Sequence, residues 1–252
     1  PLNAIKIEKN LKYKRGDIKV VNPDFRPLDI DYDRYVTIKN HLRKNKYDPK
    51  KLYQTSMFNV VDVGFNSIFL KANKDLLYLL KKFNLEYKDI QNYIVKSETQ
   101  IEKLYDKRKK SFVNYDIKNK KKITAPSITN YFILFADLKN KLINKEIIKT
   151  LRKHNSKDKF FFSSIKPNNI KYEEKRYWRG PVWINCNWII YQGLKDKDKN
   201  FANLVRRKTI DLVKKSGFYE YFDTNNGNPY GAKNFSWTAS LFLDLILEKK
   251  YN

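Results

Sequence analysis

Between Pro181 and Leu194 the chain is apolar nearly all round a helical turn: Val182, Trp183, Ile184, Trp188, Ile189 and Ile190 leave little face for solvent. A helix of that kind is stable only when other elements enclose it. The segment therefore dictates a fold in which helices pack around helices. Apolar residues recur at helical spacing over residues 30–46 (Tyr32, Tyr35, Val36, Ile38, Leu42), 65–83 (Phe65, Ile68, Phe69, Ala72, Leu76, Leu79, Leu80) and 86–109 (Tyr87, Ile90, Tyr93, Ile94, Ile101, Leu104). Further helices are expected over 127–138, 144–153, 181–194, 199–215 and 236–249. Asp48-Pro49 marks the end of the first helix, and Ser216-Gly217 caps the helix before it. Residues 112–116 and 120–123 read as a short hairpin or loop, and 160–164 as a strand-like loop. The sum is an all-α chain of about eight helices with little strand. A toroid of paired helices fits it, the inner ones apolar all round and the outer ones amphipathic.

The formal charge of +26 invites a nucleic-acid reading. The excess is mostly Lys, spread from end to end beside abundant Asn, Ile and Tyr, so it reads as a solvated basic surface and nucleic acid is disfavoured as a partner. Two dense clusters, 107–110 and 118–122, read as solvated loops in preference to a patch for an anion. The single Cys186 leaves no intrachain disulfide. His41 and His154 are too few and too far apart for a His-based metal site, so neither metal nor cofactor is expected. No apolar run approaches the roughly 18–20 residues of a membrane span. No signal-type segment opens the chain, which sets an expectation of cytoplasmic residence. The first residue, Pro1, suggests a processed or partial product.

The materials of a site concentrate between Tyr177 and Leu247. Three of the four Trp fall in its motifs, at Trp178, Trp183 and Trp237, with Trp188 just behind. Five of the seven Gly are here too: Gly180, Gly193, Gly217, Gly227 and Gly231. One acidic residue, Glu220, stands between Tyr219 and Tyr221. Rings cover the apolar faces of a pyranose, and a carboxylate acts at the glycosidic carbon. The competing reading is that buried Trp and Tyr are simply core.

The segments Tyr177-Trp178-Arg179-Gly180-Pro181-Val182-Trp183, Gly217-Phe218-Tyr219-Glu220-Tyr221-Phe222-Asp223 and Gly231-Ala232-Lys233-Asn234-Phe235-Ser236-Trp237-Thr238 resemble the C-terminal signature of glycoside hydrolase family 63 and its mannosylglycerate-hydrolase-like bacterial members. They are similar, more distantly, to trehalases. Asp62-Val63-Gly64-Phe65-Asn66-Ser67-Ile68 and the residues after it resemble a second family run. The resemblance implies an (α/α)6 barrel, inversion at the anomeric carbon, Glu220 as general base, and approach of Asp62 and Asn66 to the sugar. Trp178 and Arg179 are candidates to bind the sugar, the Arg fork suiting an acid-bearing substrate. Gly180 would let backbone approach a ligand. Trp183 and Trp237 would form the pocket wall, with core packing as the alternative, and Tyr177 would add to it.

In the family the general acid is an Asp in a motif of the kind S-G-M-D-N-S-P. This chain lacks that motif, and Asp17, Asp29, Asp31 and Asp33 do not match it. Twelve helices complete an (α/α)6 barrel. The expectation is therefore one domain, residues 1–252, forming the C-terminal portion of such a barrel. An upstream segment or a separate polypeptide would complete it. Three functions stand: an inverting glycosidase acting on a small α-glucoside or α-mannoside, a carbohydrate-binding protein that lacks the acid, and a basic nucleic-acid-binding helical protein.

Overall fold

The computed structural model describes residues 1–155 and 159–248 of the chain. Nine α-helices run through these residues: α1 Asp29–Lys44, α2 Pro49–Thr55, α3 Val63–Lys82, α4 Lys88–Glu102, α5 Ile133–Ala136, α6 Lys141–His154, α7 Ile184–Leu194, α8 Lys199–Ser216 and α9 Ser236–Leu247. Seven short strands interrupt them: β1 Val60–Val61, β2 Tyr105–Asp106, β3 Ser111–Phe112, β4 Asn114–Asp116, β5 Lys121–Ile123, β6 Tyr219–Phe222 and β7 Pro229–Lys233. All the pairings are antiparallel: β1 with β4, β4 with β5, β2 with β3, and β6 with β7.

The helices pack in succession, α3 on α4 and α5, α5 on α7, and α7 on α8 and α9. Helix α7 is enclosed as its composition requires, with Ile184, Cys186, Ile189, Ile190, Tyr191 and Leu194 buried. Asn187, fully buried, pins it with polar bonds. The Asn187 carbonyl accepts the Phe162 N–H at 2.7 Å, and its amide donates to the Phe161 carbonyl and to the Thr209 hydroxyl. These bonds fasten residues 160–162 to α7. Asn187→Ala strips a buried N–H and a buried carbonyl of their partners, and is expected to cost about 3 kcal/mol. The urea midpoint measures it.

The sequence misplaced several boundaries. The helix expected over 86–109 stops at Glu102, because residues 105–112 turn back as the β2–β3 hairpin. The helix expected over 127–138 is a 3-10 turn followed by α5, which ends where Asp137 adopts φ +55°. Pro181 and Val182 lie outside α7; Val182 bridges Ser163 and Phe222 instead. The end of the helix expected over 236–249 lies partly outside the described residues.

The largest correction concerns α3. Its buried residues are Val63, Gly64, Ser67 and Leu70. Of the stripe read from the sequence, Phe65, Ile68, Phe69, Ala72, Leu76 and Leu79 are exposed, Phe65 to 71%, and Leu80 is half-buried. The helix is apolar on two faces and only one is used. Gly64 fixes the choice, because a Cβ there would lie 2.8 Å from Thr129 Cβ. Helix α9 repeats the pattern: Leu245 is buried, while Trp237, Leu243, Ile246 and Leu247 are exposed.

Candidate active site

Glu220 sits in the β6–β7 hairpin, where the register slips. Tyr219 pairs with Lys233 but Tyr221 pairs with Tyr230, so two residues of β7, Gly231 and Ala232, stand opposite Glu220 alone. This is a β-bulge, a device that re-aims backbone groups at one point of a ladder. Gly231 makes it possible, with φ +75°. A Cβ at Gly231 would lie 2.6 Å from Glu220 Oε2 and 2.7 Å from Glu220 Cβ. The freed Ala232 N–H donates to Glu220 Oε2 at 3.0 Å.

The carboxylate is buried, 6% exposed, and its charge is matched. Arg26 Nη1 donates to Glu220 Oε1 at 2.9 Å and Nη2 to Oε2 at 2.8 Å. This bidentate fork is among the stronger polar contacts in proteins. Burial works against the Arg26 charge and the Glu220 bonds more than offset it, so the guanidinium sits above its ordinary pKa. Arg26 is held in turn. The Arg26 carbonyl accepts Arg176 Nη1 at 2.7 Å, and the neighbouring Phe25 carbonyl accepts the Tyr177 N–H and the Tyr221 hydroxyl.

Rings enclose the ion pair. Trp178 lies parallel to Trp183 with centroids 3.9 Å apart, and Trp183 stacks on Tyr221 at 4.8 Å. Tyr177 meets Trp183, Trp178 and Tyr221 edge-on, and the Arg26 guanidinium lies 5.4 Å from its ring centre. Tyr177 adopts φ +36°, an uncommon conformation for a bulky residue, so its surroundings hold it there. Burial first, then the Glu220 charge, raises the pKa of the Tyr177 hydroxyl.

The structure thus brings Tyr177, Trp178, Trp183 and Glu220 together. Trp183 is 2% exposed, packs in the main core and donates Nε1–H to the Tyr177 carbonyl, so it backs the ring stack from within. Trp178 is its more accessible layer. Arg179 turns elsewhere, to Glu173 at 3.2 Å and Asp31 at 3.6 Å. The space beside Gly180 is filled by the protein: a Cβ would lie 2.6 Å from the Tyr172 ring and 2.8 Å from the Glu173 carbonyl. The backbone approach read at Gly180 is therefore to the 172–173 loop. Trp237 stands exposed on α9.

Asp62 and Asn66 are placed at the start of α3. Asp62 caps the helix through the Phe65 N–H at 2.7 Å and accepts Asn114 Nδ2 at 3.1 Å. Asn66 donates to the Asp62 carbonyl and lines a cavity of about 580 Å³ with Phe69 and Tyr93. Among the described residues neither bonds to the Arg26–Glu220 cluster. Tyr219 and Tyr221 part at the bulge, Tyr221 joining the main core and Tyr219 the smaller cluster that holds Phe222. Tyr221 is fully buried, and Tyr219 packs beside Phe222.

Sequence reasoning missed Arg26. Its partner is 194 residues away, and no local spacing announces such a pair. Gly231 did carry a signal, as a glycine within a family run.

A buried, cation-matched carboxylate beside stacked indoles is the kind of material from which sugar sites are built. Residues 2–238 match the mannosylglycerate hydrolase MGH1-like glycoside hydrolase domain, and the chain belongs to that family. It is 35% identical over 246 residues to mannosylglycerate hydrolase of Thermus thermophilus, covering 96% of this chain and 59% of that protein. Mannosylglycerate hydrolase MGH1 of Selaginella moellendorffii is 31% identical over 92% of this chain and 48% of its own length. A crystal structure of the family 63 mannosylglycerate hydrolase from Thermus thermophilus, in complex with Tris and D-glycerate, superposes with TM-score 0.91 at 33% identity, over 96% of this chain and 60% of that one. That likeness shows the (α/α) toroid fold. The chain spans about three fifths of the length of the bacterial relatives.

Proposed function

We propose that this chain carries the general-base portion of an inverting glycoside hydrolase that cleaves a small α-mannoside or α-glucoside of a hydroxy acid, mannosylglycerate being the leading substrate. The observation that carries the reading is the Arg26–Glu220 fork, set in the bulge beneath the Trp178–Trp183 stack. A carboxylate has about four lone-pair positions. Oε2 uses two, on Arg26 and Ala232, and Oε1 uses one, on Arg26. The remaining position on Oε1 is where an attacking water would donate its proton. Trp178 would cover the apolar face of the sugar, with Tyr177 at its edge. Trp237, Arg179, Asp62 and Asn66 would act only at the periphery of the same pocket.

Inversion needs a second, protonated carboxyl about 6.5–9.5 Å away, across the water and the scissile bond. No carboxyl of this chain is assigned that role. It would come from helices that complete the toroid, on an upstream segment or on a separate polypeptide. The uncovered apolar faces of α3 and α9 support this, because contiguous apolar surface of that kind marks a contact site. Residues 1–252 would then be one portion of a single catalytic domain.

The test is an NMR assay of mannosylglycerate and aryl α-glucosides with the completed assembly. The first-formed sugar is expected to be the β-anomer, and Glu220→Gln is expected to lower turnover by about 10²- to 10⁴-fold. An α-anomer as first product, or unchanged turnover in Glu220→Gln, removes the base from its role. Sugar binding without turnover in both proteins leaves the carbohydrate-binding reading.

A further inference from the structure

The β2–β3 hairpin tip and one face of α6 meet in a cleft of about 510 Å³ outside the Glu220 site. Arg108, Lys109 and Lys110 line it from the hairpin, and Lys145, Lys149 and Lys153 from the helix. The helix lysines recur every four residues, so they share one face. Like charges at that spacing destabilise a helix, and here a second row of cations faces them. A lysine-rich composition scatters charge over a surface; it does not set two rows from distant parts of the chain across one cavity. Carboxylates offset part of this charge: Asp106, at the base of the hairpin, accepts the Arg108 and Lys109 N–H groups, and the Lys109 ammonium reaches the Thr124 carbonyl at 3.4 Å. Glu146 is the carboxylate of the lining, and its Oε2 is taken by the Tyr105 hydroxyl. Its Oε1 comes only within 3.9 Å of Lys110 Nζ. Arg108, Lys145 and Lys149 enter no ion pair among the described residues. His154 borders the cleft and bonds to the Tyr131 hydroxyl at 3.0 Å. Burial first, then Lys166 and Lys153, hold its imidazole below the ordinary pKa.

We infer that this cleft is a binding site for a small polyanion with several phosphate groups, distinct from the sugar site. The volume fits a compact ligand of this kind. Cations of one sign lining a concave surface raise the local potential above what the same charges give on a convex one. Flexible lysines on both walls give point charges able to follow a chain of phosphates.

Inorganic triphosphate is the probe, titrated calorimetrically into the full chain at two salt concentrations. Three proteins are compared: wild type, Lys145→Glu/Lys149→Glu, and Lys12→Glu/Lys14→Glu, the last removing the same charge from the N-terminal lead-in. One triphosphate per chain is expected, with binding weakened by about tenfold or more in the cleft variant and little changed in the lead-in variant. Circular dichroism of the cleft variant is expected to match wild type, since both lysines are exposed. Equal weakening in the two variants would show diffuse charge and overturn the site. So would several triphosphates per chain, no binding, or binding only of long RNA. None of these outcomes touches glycoside turnover, so the site and the enzymatic reading stand or fall separately.

Discussion

Arg26→Met is expected to destabilise the chain by about 3–5 kcal/mol, the cost of leaving one partner of a buried ion pair uncompensated. The Glu220 carboxylate is 6% exposed, and without Arg26 it retains a single N–H donor, from Ala232. The carboxylate would be left charged and poorly solvated, or would take up a proton and cease to be a base. Stability and catalysis can be separated. Arg26→Met/Glu220→Met replaces the pair by apolar groups of similar volume, an exchange that is often neutral in energy. The double variant is therefore expected to recover most of the lost stability while remaining inactive. Denaturation midpoints of the two single variants and the double form the cycle. Additive losses would mean that Arg26 and Glu220 are not coupled, and the base would lose its proposed support. Arg26→Lys is expected to fall between wild type and Arg26→Met, because an ammonium cannot form the planar fork.

The helices of this chain were legible because periodicity is a local property. Helix α7 is buried all round, as its residues require, and the hairpin expected near 112–123 is present as β4 and β5. What failed was local signal with two meanings. Asp48-Pro49 read as the end of one helix, yet it also opens α2: Asp48 caps the Lys50 and Lys51 N–H groups and Pro49 occupies the first helical position. The face of α3 failed for a deeper reason. A helix apolar on two sides has two candidate interiors, and periodicity cannot rank them. The ranking came from Gly64 against Thr129, a contact between residues far apart in the chain.

The site divides in the same way. Glu220, Trp178, Trp183 and Tyr177 came from one continuous region of sequence and converge in space. Arg179 looked equally suited to a ligand, but the sequence could not show that Asp31 and Glu173 compete for it. Gly180 looked like room for a substrate, and Tyr172 occupies that room. In both cases the residue type was read correctly and its neighbour was unknown. Arg26 is the converse: its type was unremarked, and its neighbour is what makes it important.

Gly231→Ala follows from the same logic and is expected to damage stability and turnover together. Its φ of +75° disfavours any residue with a Cβ, at about 1–2 kcal/mol. The added carbon would also meet Glu220 Oε2 at 2.6 Å and Tyr221 Cε1 at 2.9 Å, and overpacking of this kind costs about 1–3 kcal/mol more. Glu220 cannot move without breaking the Arg26 fork or the Ala232 bond. The bulge cannot flatten without withdrawing the Ala232 N–H. A displacement near 1 Å at a reacting group costs roughly 10²-fold in rate, so turnover is expected to fall by at least that factor even at temperatures where the variant stays folded. Gly227→Ala is the control. It too has a positive φ, +76°, and its Cβ would press on Leu212 and Phe160, away from the carboxylate. Both variants are expected to melt earlier, while Gly231→Ala alone loses turnover in its folded state. Equal turnover in the two, measured below both melting temperatures, would mean that the bulge does not set the position of the base.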